Sequence, residues 1–387
     1  MTNESNQLAW YEVRNVDEIA SPTLLIYPHR VEQNIQQMLK IAGDVQRLRP
    51  HVKTHKLPQV VAMHQAHGIN KLKCATIAEA EMLAEQGVAD ILLAYQPVGP
   101  NQQRLIELAQ RYPQLQFGCL IDNEKTLREL AAKVSETDVV LNVWIDIDDG
   151  NRRSGIQPGP AAETLAKLLT DTPGLHFAGL HVYDGQFGGL TPADRVAGAN
   201  DAFAPVTAMV EQLAADGVAV PNIVAGGTPT FPAHAQRGGV DLSPGTYSLW
   251  DVGYSTSCPD QPFLCAAVLL VRVISKPEPN RLCVDLGHKA VAAENPLERR
   301  VRFLNAPDAK FMGQNEEHLV LELPEGHGFE VGDVLYGIPW HICPTVALHQ
   351  EVNVVNEEHA FVERWPIARG RRLRSEPSSL RTPIDTP

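Results

Sequence analysis

The segment RLRPHVKTHK, Arg47 to Lys56, sets basic side chains at every second position. In an extended strand Arg47, Arg49, His51, Lys53 and His55 share one face, while Leu48, Pro50, Val52 and Thr54 share the other. A lysine crowded by cations and partly withdrawn from water has a lowered pKa, the condition for an amine that forms a Schiff base. A solvated sheet edge has the same alternation, so the period alone leaves both readings open. A second signal is NIVAGGTPTFPAHA, where a strand runs through Gly226, Gly227 and Thr228 into a helix expected to start near Pro229. Backbone N–H groups, a hydroxyl and a helix dipole converge in such a turn, as they do where phosphate binds. A third is PWHICPTVALH. The two-residue spacing of His341 and Cys343 puts both on one face of an extended segment, able to grip one ion. Such a pair also occurs in ordinary core packing.

These residues need a scaffold. From Pro22 to about Asp251, β-rich runs (23–27, 46–52, 71–75, 90–95, 116–121, 139–147, 176–183 and 222–227) alternate with segments whose apolar residues recur three and four apart. Eight such units predict an α/β fold, a (β/α)8 barrel of TIM type, in preference to an open sheet. Active sites of such barrels lie at the C-terminal strand ends, so Lys53 is expected at the mouth, with His51 below it and His55 just beyond. The GGT turn, read as following the eighth strand, falls where barrel enzymes hold phosphate. An amine at one strand end and a phosphate cradle at another point to pyridoxal 5′-phosphate, which carries both an aldehyde and a phosphate. Past Cys258 consecutive β-like runs predict a second, C-terminal β domain. The expected division is a barrel over 22–255, a β domain over 256–372 with residues 1–21 packed on it, and a Pro- and Ser-rich disordered tail over 373–387.

The chain as a whole narrows the partners. A net charge of −13 over 387 residues argues against nucleic acid. The longest apolar run, FLCAAVLLV, is far shorter than the roughly 20 residues of a membrane span. The polar opening MTNESNQLAWYEV does not read as a signal peptide. Six cysteines without a CxxC suit reduced thiols, so a cytoplasmic enzyme is expected.

Taken together, RPHVKTHK, GNRRSG (150–155), GGTPT (226–230), PGTY (244–247) and HICPT (341–345) resemble the fold-type III pyridoxal-phosphate enzymes of the D-threonine aldolase and D-serine dehydratase group, over about residues 22–372. The resemblance implies an alanine-racemase-like barrel, a C-terminal β domain and a homodimer. It implies Lys53 as the Schiff-base lysine and Gly227, Thr228 and Tyr247 as phosphate ligands. Arg153 or its neighbour Arg152 stands at the arginine position near the pyridine ring, and Tyr183 where the family has an aromatic residue by the ring. His341 and Cys343 match a pair that binds a divalent cation against the substrate β-hydroxyl. Imidazole plus thiolate favours zinc by softness, whereas aldolase relatives with an oxygen ligand at the second position use manganese or magnesium. His51, His55 and His181 are candidate bases for that hydroxyl, while His349 reads as structural. The expected activity is cleavage of D-threonine-type substrates to glycine and an aldehyde, because ERWPIARGRR resembles the aldolase branch. Cys343 is common among dehydratases, so β-elimination from D-serine or D-3-hydroxyaspartate is the alternative. A racemase and a non-catalytic cofactor-binding homeostasis protein are further alternatives. The C-terminal domain and metal pair count against the latter.

Overall fold

The structure, a computed structural model, describes residues 8–370; the N-terminal MTNESNQ stretch and the tail expected over 373–387 lie outside them. Seven strands run parallel in chain order: Lys71–Cys74, Asp90–Leu93, Gln116–Ile121, Leu141–Ile147, Leu175–Val182, Ile223–Ala225 and Asp241–Leu242. Leu92, Leu120, Trp144, Ala178 and Val224, one from each of five neighbouring strands, form a separate inner cluster, as the interior layer of a barrel does. Amphipathic helices cover the outside. Pro28–Ala42, for example, turns Val31, Ile35 and Met38 inward and stops at Gly43, whose φ of 74° is cheap only for glycine.

The basic segment closes the gap between the last of these strands and the first. Leu48 bridges Leu242 and His51 bridges Lys73, both in parallel register. Arg49 N–H donates to Leu242 O at 2.9 Å, Val52 N–H to Lys73 O at 2.8 Å, and Lys73 N–H to Pro50 O at 2.9 Å. Pro50 has no N–H to give, which is why the expected strand at 46–52 is reduced to two bridges. Its basic face divides by depth. Arg47 donates to the carbonyls of Ala235 and His234. Arg49, 2% exposed, forms a bidentate pair with Asp90 (2.7 and 2.5 Å) and a third bond to Asp241 at 3.2 Å. Asp241 also takes Lys71 Nζ at 2.9 Å.

One strand assignment needs correction. Thr23–Ile26 is not in the barrel; it pairs antiparallel with Ala267–Glu278 and parallel with Glu351–Val355, inside a second, nine-stranded sheet. All four residues are buried, and a run buried on both faces has the same pattern in either sheet. The barrel position is taken instead by Asp241–Leu242, too short to announce itself, so the GGT turn follows the seventh strand position rather than the eighth. The second sheet also holds Arg281–Val284, Val301–Phe303, Lys310–Gln314, Leu319–Glu322, Val334–Pro339 and Phe361–Pro366. The N-terminal segment lies on it: Val13 N–H donates to Tyr336 Oη at 3.3 Å and Phe361 N–H to Asn15 Oδ1 at 2.8 Å. Among the described residues no helix is long and apolar enough to cross a membrane.

Arg49→Met leaves Asp90 and Asp241 without their guanidinium, so it is expected to lower unfolding free energy by about 3–5 kcal/mol in urea titration; an unchanged midpoint would refute the closure role. Acid stability offers a second check. Burial lowers the His64 pKa from 6.5 to about 4. The unfolded chain therefore binds a proton there that the folded chain refuses. This contribution is complete above pH 6.5 and is lost as pH falls toward about 4. The thermal midpoint is expected to drop between pH 7 and 4.5, and less steeply in His64→Gln; parallel curves for the two proteins would count against it.

Candidate active site

A cavity of about 410 Å³ opens at the C-terminal ends of the barrel strands. Lys53 reaches it directly after the closing segment, its Nζ 5.8 Å from the centre of the Tyr183 ring. The guanidinium of Arg153 lies 4.4 Å from the same ring. Both candidate arginines are exposed; Arg152 adopts a left-handed φ of 55°, and it is Arg153 that meets Tyr183.

Opposite Lys53 two turns are tied together. Thr228 Oγ1 accepts the N–H groups of Gly245 and Thr246, each at 3.1 Å, leaving its own hydroxyl hydrogen to donate. Gly226 has φ 75°, and a Cβ on Gly227 would stand 2.9 Å from the Tyr183 ring. Asp184 fixes this turn from behind, accepting Thr230 Oγ1 at 2.6 Å and sharing a 2.8 Å contact with His234 Nε2. The helix after the turn spans only Phe231–Ala235, so it starts later than Pro229 and the turn itself makes most of the cradle.

Two residues assigned to the site turn away from it. Tyr247 does not line the cavity; it is 1% exposed, and its hydroxyl is committed to His64 Nε2. An expected phosphate ligand is thereby held in the core, and only the amides of its turn face Thr228. His55 is also 1% exposed, accepts Leu57 N–H on Nδ1 at 3.1 Å and stacks on His64. The chain leaves its extended course after His51 and turns over residues 52–55, so the alternation that should bring His55 to the mouth ends there. His51 does line the cavity. Burial, then the Lys53 and Lys73 charges, hold its pKa well below 6.5, and Nδ1 accepts the Lys53 N–H at 3.2 Å. The neutral ring therefore carries its hydrogen on Nε2.

The second sheet delivers the other donors. His341 caps the helix Ile342–Leu348 and Cys343 lies in its first turn, so the pair stands at a strand-to-helix junction rather than on an extended segment, yet both line the cavity. Burial alone would lower the His341 pKa, but hydrogen bonding and charge from Cys343, with Glu294, push it up to about 9. Burial would raise the Cys343 thiol, and His341 outweighs it, bringing the thiol below its ordinary 9.0. Thr54 Oγ1 lies 3.1 Å from the sulfur, and Glu294 Oε1 2.6 Å from His341 Nδ1. His349 bonds Ala290 O at 2.8 Å and is structural.

Lys73, Tyr254, Ser243 and Thr246 also line the cavity and escaped the sequence reading. Lys73 carried a usable signal, since KLKC alternates as RLRPHVK does; Tyr254 carried none. His181 Nδ1 donates to Asp146 Oδ1 at 2.7 Å, while Nε2 faces Lys73 Nζ at 3.2 Å.

The residues fit both groups that the motifs imply. A free amine beside two glycine-bearing turns suits an aldehyde and a phosphate on one small cofactor. An imidazole and a thiol of lowered pKa suit a soft divalent ion. Among the described residues no set of three or more His, Cys, Asp or Glu side chains gathers for a metal, so His341 and Cys343 would leave further coordination positions open.

Two family models match the chain: alanine racemase, N-terminal domain, over residues 26–247, and putative serine dehydratase domain over 266–355. The chain belongs to this fold-type III pyridoxal-phosphate family, in which the racemase-type barrel is followed by a serine-dehydratase-type domain. It is 28% identical over 346 residues to a D-threonine aldolase of Arthrobacter sp., covering 88% of this chain and 90% of that one. The solved D-threonine aldolase of Filomicrobium marinum superposes with a TM-score of 0.84 at 26% identity, covering 93% of this chain and 98% of the other. The D-threo-3-hydroxyaspartate dehydratase of Delftia sp. HT23 gives 0.79 at 25%, covering 91% and 98%. Variants of a D-threo-3-hydroxyaspartate dehydratase replace a histidine and, two positions later, a cysteine; the cysteine variant was solved in the metal-free form.

Incubation with pyridoxal phosphate is expected to give a visible band that borohydride removes, leaving the label on the Lys53 peptide. A label on Lys56, Lys71 or Lys73, or none, would refute the assignment of Lys53.

Proposed function

We propose that the protein is a pyridoxal-phosphate- and divalent-metal-dependent D-threonine aldolase, a homodimer that cleaves D-β-hydroxy-α-amino acids to glycine and an aldehyde. One observation carries this reading: Lys53, at the mouth of the barrel, and the His341–Cys343 pair, at a junction after a strand of the second sheet, line a single cavity. An amino acid held there at its amino group has its β-hydroxyl within the same small space as the two metal-type donors.

In this reading Lys53 would hold the cofactor, Gly227 and the Thr228 hydroxyl, set in place by the amides of the 244–247 turn, would receive its phosphate, and Tyr183 and Arg153 would flank its ring. His341 and Cys343 hold zinc, manganese or magnesium. When bound, the cofactor supplies an electron sink for charge developing at Cα, and the ion makes the β-hydroxyl easier to deprotonate or to expel. Lys53 would be the group placed to give or take a proton at Cα. His51 presents an N–H donor to the bound substrate.

The dehydratase reading is favoured by two observations. The His341–Cys343 spacing equals that of the residues replaced in the D-threo-3-hydroxyaspartate dehydratase variants. Of the histidines considered as base for the hydroxyl, His55 faces the core and both His181 nitrogens are engaged. β-Elimination does not need that base, because the hydroxyl leaves with its oxygen.

Product analysis separates the two. With pyridoxal phosphate and Zn²⁺, Mn²⁺ or Mg²⁺, D-threonine is expected to give glycine and acetaldehyde, L-threonine nothing, and EDTA to stop the reaction. His341→Ala and Cys343→Ala should keep the visible band while lowering turnover by roughly a hundredfold or more. 2-Oxobutyrate and ammonia without glycine would establish the dehydratase instead, and full turnover in EDTA would remove the metal from the account.

A further inference from the structure

Lys73 has no place in the functions assigned so far. It stands on Lys71–Cys74, the strand against which His51 closes the barrel, and its side chain lines the active-site cavity although the residue is only 2% exposed. A lysine buried this deeply ordinarily pairs with a carboxylate. Among the described residues Lys73 pairs with none. Its hydrogen-bond partner is the Nε2 of His181, at 3.2 Å.

That contact is itself directed. Asp146 Oδ1 accepts His181 Nδ1–H at 2.7 Å, and Asp146 Oδ2 accepts Ser154 Oγ at 3.0 Å. With Nδ1 protonated, His181 presents only an acceptor at Nε2, so it can receive one Lys73 hydrogen and repels none. The ammonium is held at one hydrogen, and among the described residues its other two have no protein acceptor, in a cavity that Lys53 also lines and within reach of the Arg153 charge. A structural lysine in this place would be worse than a methionine. The arrangement makes physical sense when something anionic enters.

Resting on the reading of this cavity as a pyridoxal-phosphate site, we propose that Lys73 is a binding residue of that site: its ammonium, aimed by His181 and Asp146, meets an anionic oxygen, either the ring hydroxyl of the cofactor or the carboxylate of the amino acid. The phosphate is not the partner, since the 226–230 and 244–247 turns form the cradle for it. Burial first, then the Lys53 charge, with Asp146 opposing and Arg49 and Arg153 adding to them, bring the Lys73 pKa down to about 7, so an anion beside it would favour its charged form.

The test uses the full-length protein, its Lys73→Met and Lys73→Arg variants, and two matched pairs of probes. Pyridoxal phosphate and its 3-O-methyl ether differ only in the ring oxygen; D-serine and D-serinamide, titrated into the cofactor-loaded protein, differ only in the carboxylate. If Lys73 meets the ring oxygen, the wild-type preference for pyridoxal phosphate over the ether is roughly ten- to a hundredfold and collapses in Lys73→Met. If it meets the carboxylate, the preference for D-serine over D-serinamide collapses instead. Lys73→Arg, which keeps the charge, should retain part of whichever preference is lost. These are ratios within one variant, so a general loss of stability does not imitate them. Lys73→Met that keeps both preferences overturns the proposal and leaves the cofactor reading intact. A wild type that binds no pyridoxal phosphate overturns both.

Discussion

The site depends on one buried ionic contact, the guanidinium of Arg49 held between Asp90 and Asp241. Asp90 begins one barrel strand and Asp241 the last, while Arg49 belongs to a segment that makes only isolated bridges to the barrel. Because Pro50 removes a backbone donor from that segment, side-chain charge supplies closure that a continuous ladder would otherwise give. Lys53 lies four residues further on, and its backbone position follows from that closure. The cost of burying the charges is tolerable only because Arg49 is bidentate to Asp90 and Lys71 shares Asp241.

The second sheet completes what the barrel starts. Thr23–Ile26 is threaded into that sheet before the chain enters the barrel, and Asp251 reaches back to it, its Oδ2 accepting Ile342 N–H at 3.0 Å. The junction that bears His341 and Cys343 is thus pinned to the chain leaving the last barrel strand. Neither sheet alone brings together the Lys53 amine, the two glycine-bearing turns and the His341–Cys343 pair. Together they put all three around one space, which is why the family's chemistry can vary while its two-part architecture persists.

Much of this was legible in the residues. The barrel, the C-terminal sheet and the meeting of Lys53 with the GGT turn follow from alternation and spacing, while the place of His341–Cys343 beside them was what the family resemblance implied. What was not legible has physical causes. A two-residue strand at Asp241–Leu242 has no period to detect, and a strand buried on both faces, as at Thr23–Ile26, does not reveal its sheet. Alternation places side chains only while the backbone stays extended. Beyond His51 it turns, and His55 goes into the core; at PGTY a short helical turn sends the Tyr247 ring toward His64. Lys73 shows the converse failure. Its strand has the same every-second-residue pattern that singled out Lys53, but two lysines on a short strand read as a solvated face until the barrel is closed around them.

The central claim is that cofactor and metal meet in this one cavity. A crystal structure of the protein grown with pyridoxal phosphate and Zn²⁺ or Mn²⁺, with anomalous data at the metal edge, tests it directly. The account predicts continuous density from Lys53 Nζ to the cofactor, the phosphate against Gly227 and Thr228, and the anomalous peak on His341 and Cys343 in the same cavity. Density joined to Lys73, a phosphate bound away from the two turns, or a metal peak elsewhere in the chain would contradict it.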